Sequence, residues 1–215
     1  MLQPDFLDME LDHVYHIDFR SSYASRICEA YPEFKPMYTE IFAMRKDNNG
    51  KYKHILTNSI GAWQSPYCVD YKSGYLTSMY QFANLSKTAI NGTRAKIIDM
   101  IGKLRAAKCT PLLTNTDGIW YYSKHGPYHD ENEGDELCNW HNDHVDCKFL
   151  MISEGAYQYV ENGVCHSVVR GLCSLDAAKP DRTEWEFGDI LHLGDFFTYK
   201  FDDEKGVIKT NGESI

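Results

Sequence analysis

Leu112-Leu113-Thr114-Asn115-Thr116-Asp117-Gly118-Ile119-Trp120-Tyr121-Tyr122 sets two short apolar runs around an Asn-Thr-Asp-Gly tetrad. Strand formers on both sides of turn formers predict a β-hairpin, with Asp117 held at its tip. Asn, Asp and Gly are also what any tight turn uses, so the hairpin by itself assigns no chemistry. A second acidic strand end gives it weight. In Val14-Tyr15-His16-Ile17-Asp18-Phe19, alternation puts Tyr15, Ile17 and Phe19 on one face and His16 and Asp18 on the other. Asp18 alone reads equally well as a simple turn carboxylate.

The segments around these two strands follow from local patterning. Ser21 and Ser22 offer an N-cap to a helix carrying Tyr23, Ile27 and Ala30, which Tyr31-Pro32 stops. Met37 to Met44 reads as strand-like, and Asp47-Asn48-Asn49-Gly50 as a turn. Lys51 and Lys53 precede a short apolar turn and Asn58-Ser59; as cations they suit phosphate, and they suit a solvated basic face as well. Pro66 to Ala83 reads as loop and short strand. From Ser86 a long helix is predicted, with Ile90, Ile97, Ile98, Ile101 and Leu104 on its apolar face and Arg94 elsewhere. After the hairpin, the pattern predicts a short helix over Asp135 to His144 and strands over Cys147 to Ile152, Ala156 to Val160 and Val164 to Gly171. A turn is expected at Glu161-Asn162-Gly163.

Bulk properties narrow the class. At 215 residues the chain suffices for one domain or two small lobes. A net charge of −9 leaves no global basic field to coat nucleic acid, though it allows a local basic cleft beside an acidic metal site. The seven cysteines are odd in number and scattered, and the N-terminus carries no secretory pattern. No apolar run approaches the ~18 residues of a membrane span. These features lead us to expect free thiols, a cytoplasmic setting and no membrane partner. Cys138, His141, His144 and Cys147 recur every three residues, but the spacing does not match paired zinc knuckles, and four such residues on one helix would not converge on an ion.

Taken together, the motifs resemble family B DNA polymerases, especially the small protein-primed bacteriophage type. Asp18-Phe19-Arg20-Ser21-Ser22-Tyr23-Ala24-Ser25 looks like motif A (D-x-x-S-L-Y-P-S). Lys53 to Gly61, with Asn58-Ser59, is similar to motif B (K-x-x-x-N-S-x-Y-G), and Thr114 to Gly118 looks like motif C (Y-x-D-T-D-S). The order is correct, and the helix with Arg94 stands before motif C. Leu137-x-x-Trp140 resembles the L-G-x-W helix, Tyr157 falls at a K-x-Y motif, and Gly171 with the Phe-rich tail resembles a short thumb. Departures are Asn115 for the first motif C Asp, His54 in the motif B Lys register, and Gly155 for the K-x-Y Lys.

The resemblance implies an α+β fold. A palm (1–30 and 86–150) would pack an antiparallel sheet on helices, with reduced fingers and motif B at 31–85 and the end of the palm with a short thumb at 151–215. It implies two-metal nucleotidyl transfer of dNTPs to a primer 3′-OH, with two Mg²⁺ (Mn²⁺ also suits) on Asp18, Asp117 and the Phe19 carbonyl. Tyr23, Lys51, Lys53 and Asn58 would bind the nucleotide, and Arg94 and Tyr157 the DNA. The partners implied are primer–template DNA, dNTPs and a separate exonuclease or priming protein, in a phage-infected host cytoplasm. Two other readings compete: a non-catalytic polymerase-derived subunit that binds DNA or a partner, and a metal-dependent nuclease using the same carboxylates.

Overall fold

The alternating segment around Asp18 becomes strand β1 (Leu11–Phe19), an interior strand of a six-stranded sheet. Its neighbours are β5 (Gly118–Tyr122) on one side and β6 (Trp140–Ser153) on the other. β4 (Thr110–Thr114) closes the first edge; β7 (Ala156–Glu161) and β8 (Val164–Val169) extend the second. The order is β4-β5-β1-β6-β7-β8, and every pairing is antiparallel. This computed structural model describes residues 2–47, 52, 55–56, 60, 63, 67–69, 72–74, 76–78, 80–169, 186–191, 197–202 and 206–211. Among them are also the two-stranded pairs β2 (Tyr67–Val69) with β3 (Leu76–Ser78), and β9 (Phe197–Asp202) with β10 (Gly206–Asn211).

The sheet's rear face is apolar and covered by a helix. Tyr15, Ile17 and Phe19 from β1, Ile119 and Tyr121 from β5 and Trp140 from β6 pack on Ile97, Met100, Ile101 and Leu104 of α3 (Tyr80–Ala106). The period-2 face of a strand thus meets the i, i+3, i+4, i+7 stripe of a helix. Ile98 departs from the expected stripe: it is 69% exposed, because it lies one residue, about 100° of rotation, off the Ile97–Ile101–Leu104 row. The helix also begins at Tyr80, earlier than Ser86.

A second layer of helices sits against the N-terminal half of α3. α1 (Ser22–Ala30) and α2 (Lys35–Asp47) contribute Ala24, Ile27, Cys28, Tyr38 and Phe42 to a cluster that includes Ala89 and Leu137. Residues 37–44 are therefore helical rather than strand-like. Tyr38 and Phe42 stand four apart and bury the same face, a helical relation that the alternating reading missed. Ser21 does occupy the N-cap position of α1, but at φ 42° its hydroxyl caps nothing and instead accepts from Arg45 Nη1 at 2.9 Å. Ser22 Oγ is bonded to Thr93 Oγ1 at 2.8 Å, which locks α1 to α3.

The helix expected over Asp135 to His144 is overturned as well. Trp140 to His144 already belong to β6, where Trp140 pairs with Phe19 and is fully buried in the rear core. Asn139, His141, Asn142, Asp143 and His144 are weak helix formers, and the open edge of β1 supplies backbone partners that extended chain can use. The hairpins at Asn115–Gly118 and Glu161–Gly163 form as expected. Among the described residues Cys28, Cys109, Cys138, Cys147 and Cys165 are free thiols, and no helix is long and apolar enough to cross a membrane.

Candidate metal-binding site

The front face of the sheet carries the polar half of β1. Asp18 pairs with Gly118 across β1 and β5, which places it beside the hairpin tip that holds Asp117. Backbone bonds fix the arrangement: Asn115 N–H donates to Gly118 O at 2.9 Å, closing the turn, and Phe19 N–H donates to Asp117 O at 3.0 Å, tying the turn to the end of β1. Asp18 and Asp117 line one cleft of about 220 Å³ together with His16, Asn115, Trp120, His144, Tyr157 and Tyr159.

Charge in this cleft is under tension. Burial first, then the neighbouring carboxylates of Asp117 and Asp143, push the Asp18 carboxyl up to about 6; His141 and Arg20 pull the other way. Like charges held together by strand geometry raise a carboxyl pKa, and a divalent cation relieves that repulsion. Two carboxylates are also the hard oxygen donors that Mg²⁺ takes. The residues present therefore fit the ions that the sequence resemblance implies.

Behind Asp18 lies a histidine-rich group. One donor atom from each of His16, Asp143 and His144 lies within 4.8 Å of the other two, the spacing of a possible metal-binding triad. His16 and His144 are cross-strand partners. Between that pair and Ile17–Asn142 the register shifts by one residue, so Asp143 is the extra residue of a β-bulge. A bulge re-aims a side chain that would otherwise alternate to the far face. Asp143 Oδ1 meets His141 Nε2 at 3.2 Å, while Oδ2 lies 3.4 Å from His144 Nε2 and 3.8 Å from His16 Nδ1. The neighbouring imidazoles of His141 and then His16 draw the Asp143 carboxyl far below the usual carboxylate range.

Of the residues named from sequence, Asp18, Asp117 and Tyr157 share the cleft. Tyr157 is buried, and its hydroxyl accepts from Asn115 Nδ2 at 3.2 Å, so the K-x-Y position touches the substituted motif C position directly. Tyr23 and Arg94 line a different cavity, of about 550 Å³, which shares Asn115 and Thr116 with the first. The hairpin tip thus separates two hollows, one acidic and one bearing Tyr23 and Arg94. Phe19 sends its side chain into the rear core, and its N–H holds Asp117. Lys51, Lys53 and Asn58, with His54, Ser59, Gly61 and Gly171, lie outside the described residues.

Cys138, His141, His144 and Cys147 do not form one site. Cys147 is fully buried beside Val14 and Trp120, and Cys138 Sγ points to the Ser25 carbonyl at 3.7 Å. The reason is a bulged strand rather than a helix. Sequence reasoning passed over His16 and Asp143 as site residues. His16 was legible, two residues before Asp18 on the same face; Asp143 was not, because a bulge leaves no mark in the alternation. Neither a scan against protein-family models nor a search of curated proteins finds a match to this chain.

Proposed function

We propose that this chain is the palm-centred portion of a template-directed DNA polymerase, transferring nucleotides from dNTPs to a primer 3′-OH. One observation carries the reading: Asp18 and Asp117 meet at the same end of adjacent strands, and proximity to Asp117 and Asp143 adds to burial in holding Asp18 up to about 6. Nucleotidyl transfer relies on positioning and charge neutralisation, and a strand-borne pair of carboxylates suits both.

In this reading Asp18 and Asp117, with the Phe19 carbonyl, would hold two Mg²⁺, or Mn²⁺. Those ions supply neutralisation of charge at the attacking 3′-oxygen and the leaving pyrophosphate. Tyr23 lines the adjoining cavity, large enough for a nucleotide, where its ring would stack under the incoming sugar. Arg94 presents a cation on the same wall. Lys51, Lys53 and Asn58 would complete the nucleotide side, and Tyr157 the primer side. Residues 1–30 and 86–150 would form the palm, 31–85 the reduced fingers and 151–215 the end of the palm and a short thumb. Exonuclease or priming activity would reside on another chain, in the cytoplasm of a phage-infected host.

A second reading, a polymerase-derived subunit that binds DNA or a partner without catalysis, draws on Asn115. Its amide replaces a carboxylate and is committed to the Tyr157 hydroxyl at 3.2 Å. Primer extension with Mg²⁺ or Mn²⁺ and all four dNTPs separates the two. Extension by wild type, lost in Asp18→Ala and Asp117→Ala while both variants stay folded, supports catalysis. No extension, with template–primer binding unchanged by either substitution, supports the subunit. DNA breakdown without nucleotides would point to a nuclease.

A further inference from the structure

We propose that His16, Asp143 and His144 bind one borderline transition-metal ion, zinc in particular, at a site separate from the Asp18–Asp117 pair. This goes beyond the polymerase reading and stands without it. The donor set is two imidazole nitrogens and one carboxylate oxygen, which suits zinc and its neighbours; Mg²⁺ prefers oxygen alone.

Geometry supports the assignment. Two donors bonded to a tetrahedral zinc ion stand about 3.4 Å apart, given bonds near 2.1 Å. Asp143 Oδ2 already lies 3.4 Å from His144 Nε2 and 3.8 Å from His16 Nδ1. The two oxygens of this carboxylate divide their contacts: Oδ1 meets His141, while Oδ2 lies within ion-pair distance of both His144 and His16 but too far from His16 for a hydrogen bond.

His16 supplies an independent observation. It is 8% exposed, and neither ring nitrogen has a hydrogen-bond partner. A buried polar group normally has one, so the ring is placed for a partner that is not a protein atom. Its position depends on Gly118, since a Cβ there would stand 2.5 Å from His16 Nε2.

The surroundings of His144 complete the pattern. Its Nδ1 lies 2.9 Å from Glu161 Oε2, and its Nε2 lies 3.4 Å from Asp143 Oδ2 and 3.4 Å from the Tyr159 hydroxyl, a contact that an ion would have to displace. A carboxylate behind a histidine fixes its tautomer and orientation for metal binding through the other nitrogen. The ring is also clamped, stacked on Trp120 at 4° between planes and packed at a tilt of 44° on Tyr159, 4.7 Å between centroids. His16 and His144 also line the cleft, so an ion held by them would be within reach of a ligand entering it.

The test uses the full chain, stripped with chelator and titrated with Zn²⁺ against a chromophoric competitor, then with Co²⁺ as a visible-spectrum probe. Wild type and Asp117→Ala are expected to bind one equivalent with an intense four-coordinate Co²⁺ spectrum. Asp143→Asn and His144→Ala should weaken binding by more than about 100-fold, and Glu161→Gln by about 10- to 100-fold. If a ligand substitution unfolds the chain by circular dichroism, Glu161→Gln and the wild-type Co²⁺ spectrum decide. No stoichiometric binding by wild type, or affinity that Asp143→Asn and Glu161→Gln leave unchanged, overturns the proposal. Loss of binding in Asp117→Ala but not in Asp143→Asn would overturn it too, by moving the ion to the carboxylate pair. Zinc binding that persists without primer extension leaves this site standing and removes only the polymerase reading.

Discussion

The two faces of β1 differ in kind. Toward α3, Tyr15, Ile17 and Phe19 are nearly fully buried in an apolar cluster with no charged member. On the other face His16 lacks hydrogen-bond partners and Asp18 is crowded by carboxylates. Adjacent residues of one strand therefore do opposite work. The rear face stabilises the sheet, and the front face spends part of that stability on holding polar groups where a ligand reaches them.

The sharpest break in this contrast comes from the rear. Leu104 is fully buried between α3 and the sheet, and Leu104→Ala should lower unfolding free energy by about 2–5 kcal/mol. Denaturant titration reads that loss; a value under the noise would mean the rear core is not the stabilising face.

Gly118 joins the two faces, since its missing side chain makes room for His16. A Cβ would meet His16 Nε2 at 2.5 Å and the Ile17 carbonyl oxygen at 3.1 Å, while Trp120 packs 4.5 Å from the imidazole ring and blocks retreat. Gly118→Ala is expected to destabilise by about 1–3 kcal/mol and to displace His16 from Asp143. Melting temperature together with His16 ring chemical shifts would check both parts, and unchanged shifts would refute the second.

The smallest effect has the opposite sign. Asp18 has a folded-state carboxyl pKa of about 6, above the ordinary 3.8. The unfolded chain thus ionises first, and in chelator stability should fall as pH rises from about 4 to about 6 and then level off. Asp18→Asn should remove this group's share of the slope and raise neutral-pH stability by something on the order of 1 kcal/mol. Thermal melts across that range decide; a variant less stable than wild type at pH 7 would show that Asp18 is not under repulsion.

How far the sequence could be read follows from these same residues. Alternation placed His16 and Asp18 opposite Tyr15, Ile17 and Phe19, and the Asn-Thr-Asp-Gly tetrad placed a turn at Asp117. Both are local signals, set by the two-residue period of a strand and the geometry of a tight turn. Tyr38 and Phe42 were misread because a short mixed run fits either period, and contact with Ile27 and Ala89 is what selects the helix.

The segment from Trp140 to His144 was misread for a longer-range reason. Its residues favour neither state strongly, and the free edge of β1, more than a hundred residues earlier, decided that it would be strand. The bulge at Asp143 came with that pairing, and with it the approach of Asp143 to His16 and His144. The sequence by itself determined where two carboxylates would stand at strand ends, because those signals act over a few residues. Only the tertiary structure decided that the strands are neighbours and that a histidine–aspartate group lies behind them, because register between distant segments is chosen by the packing of the whole sheet.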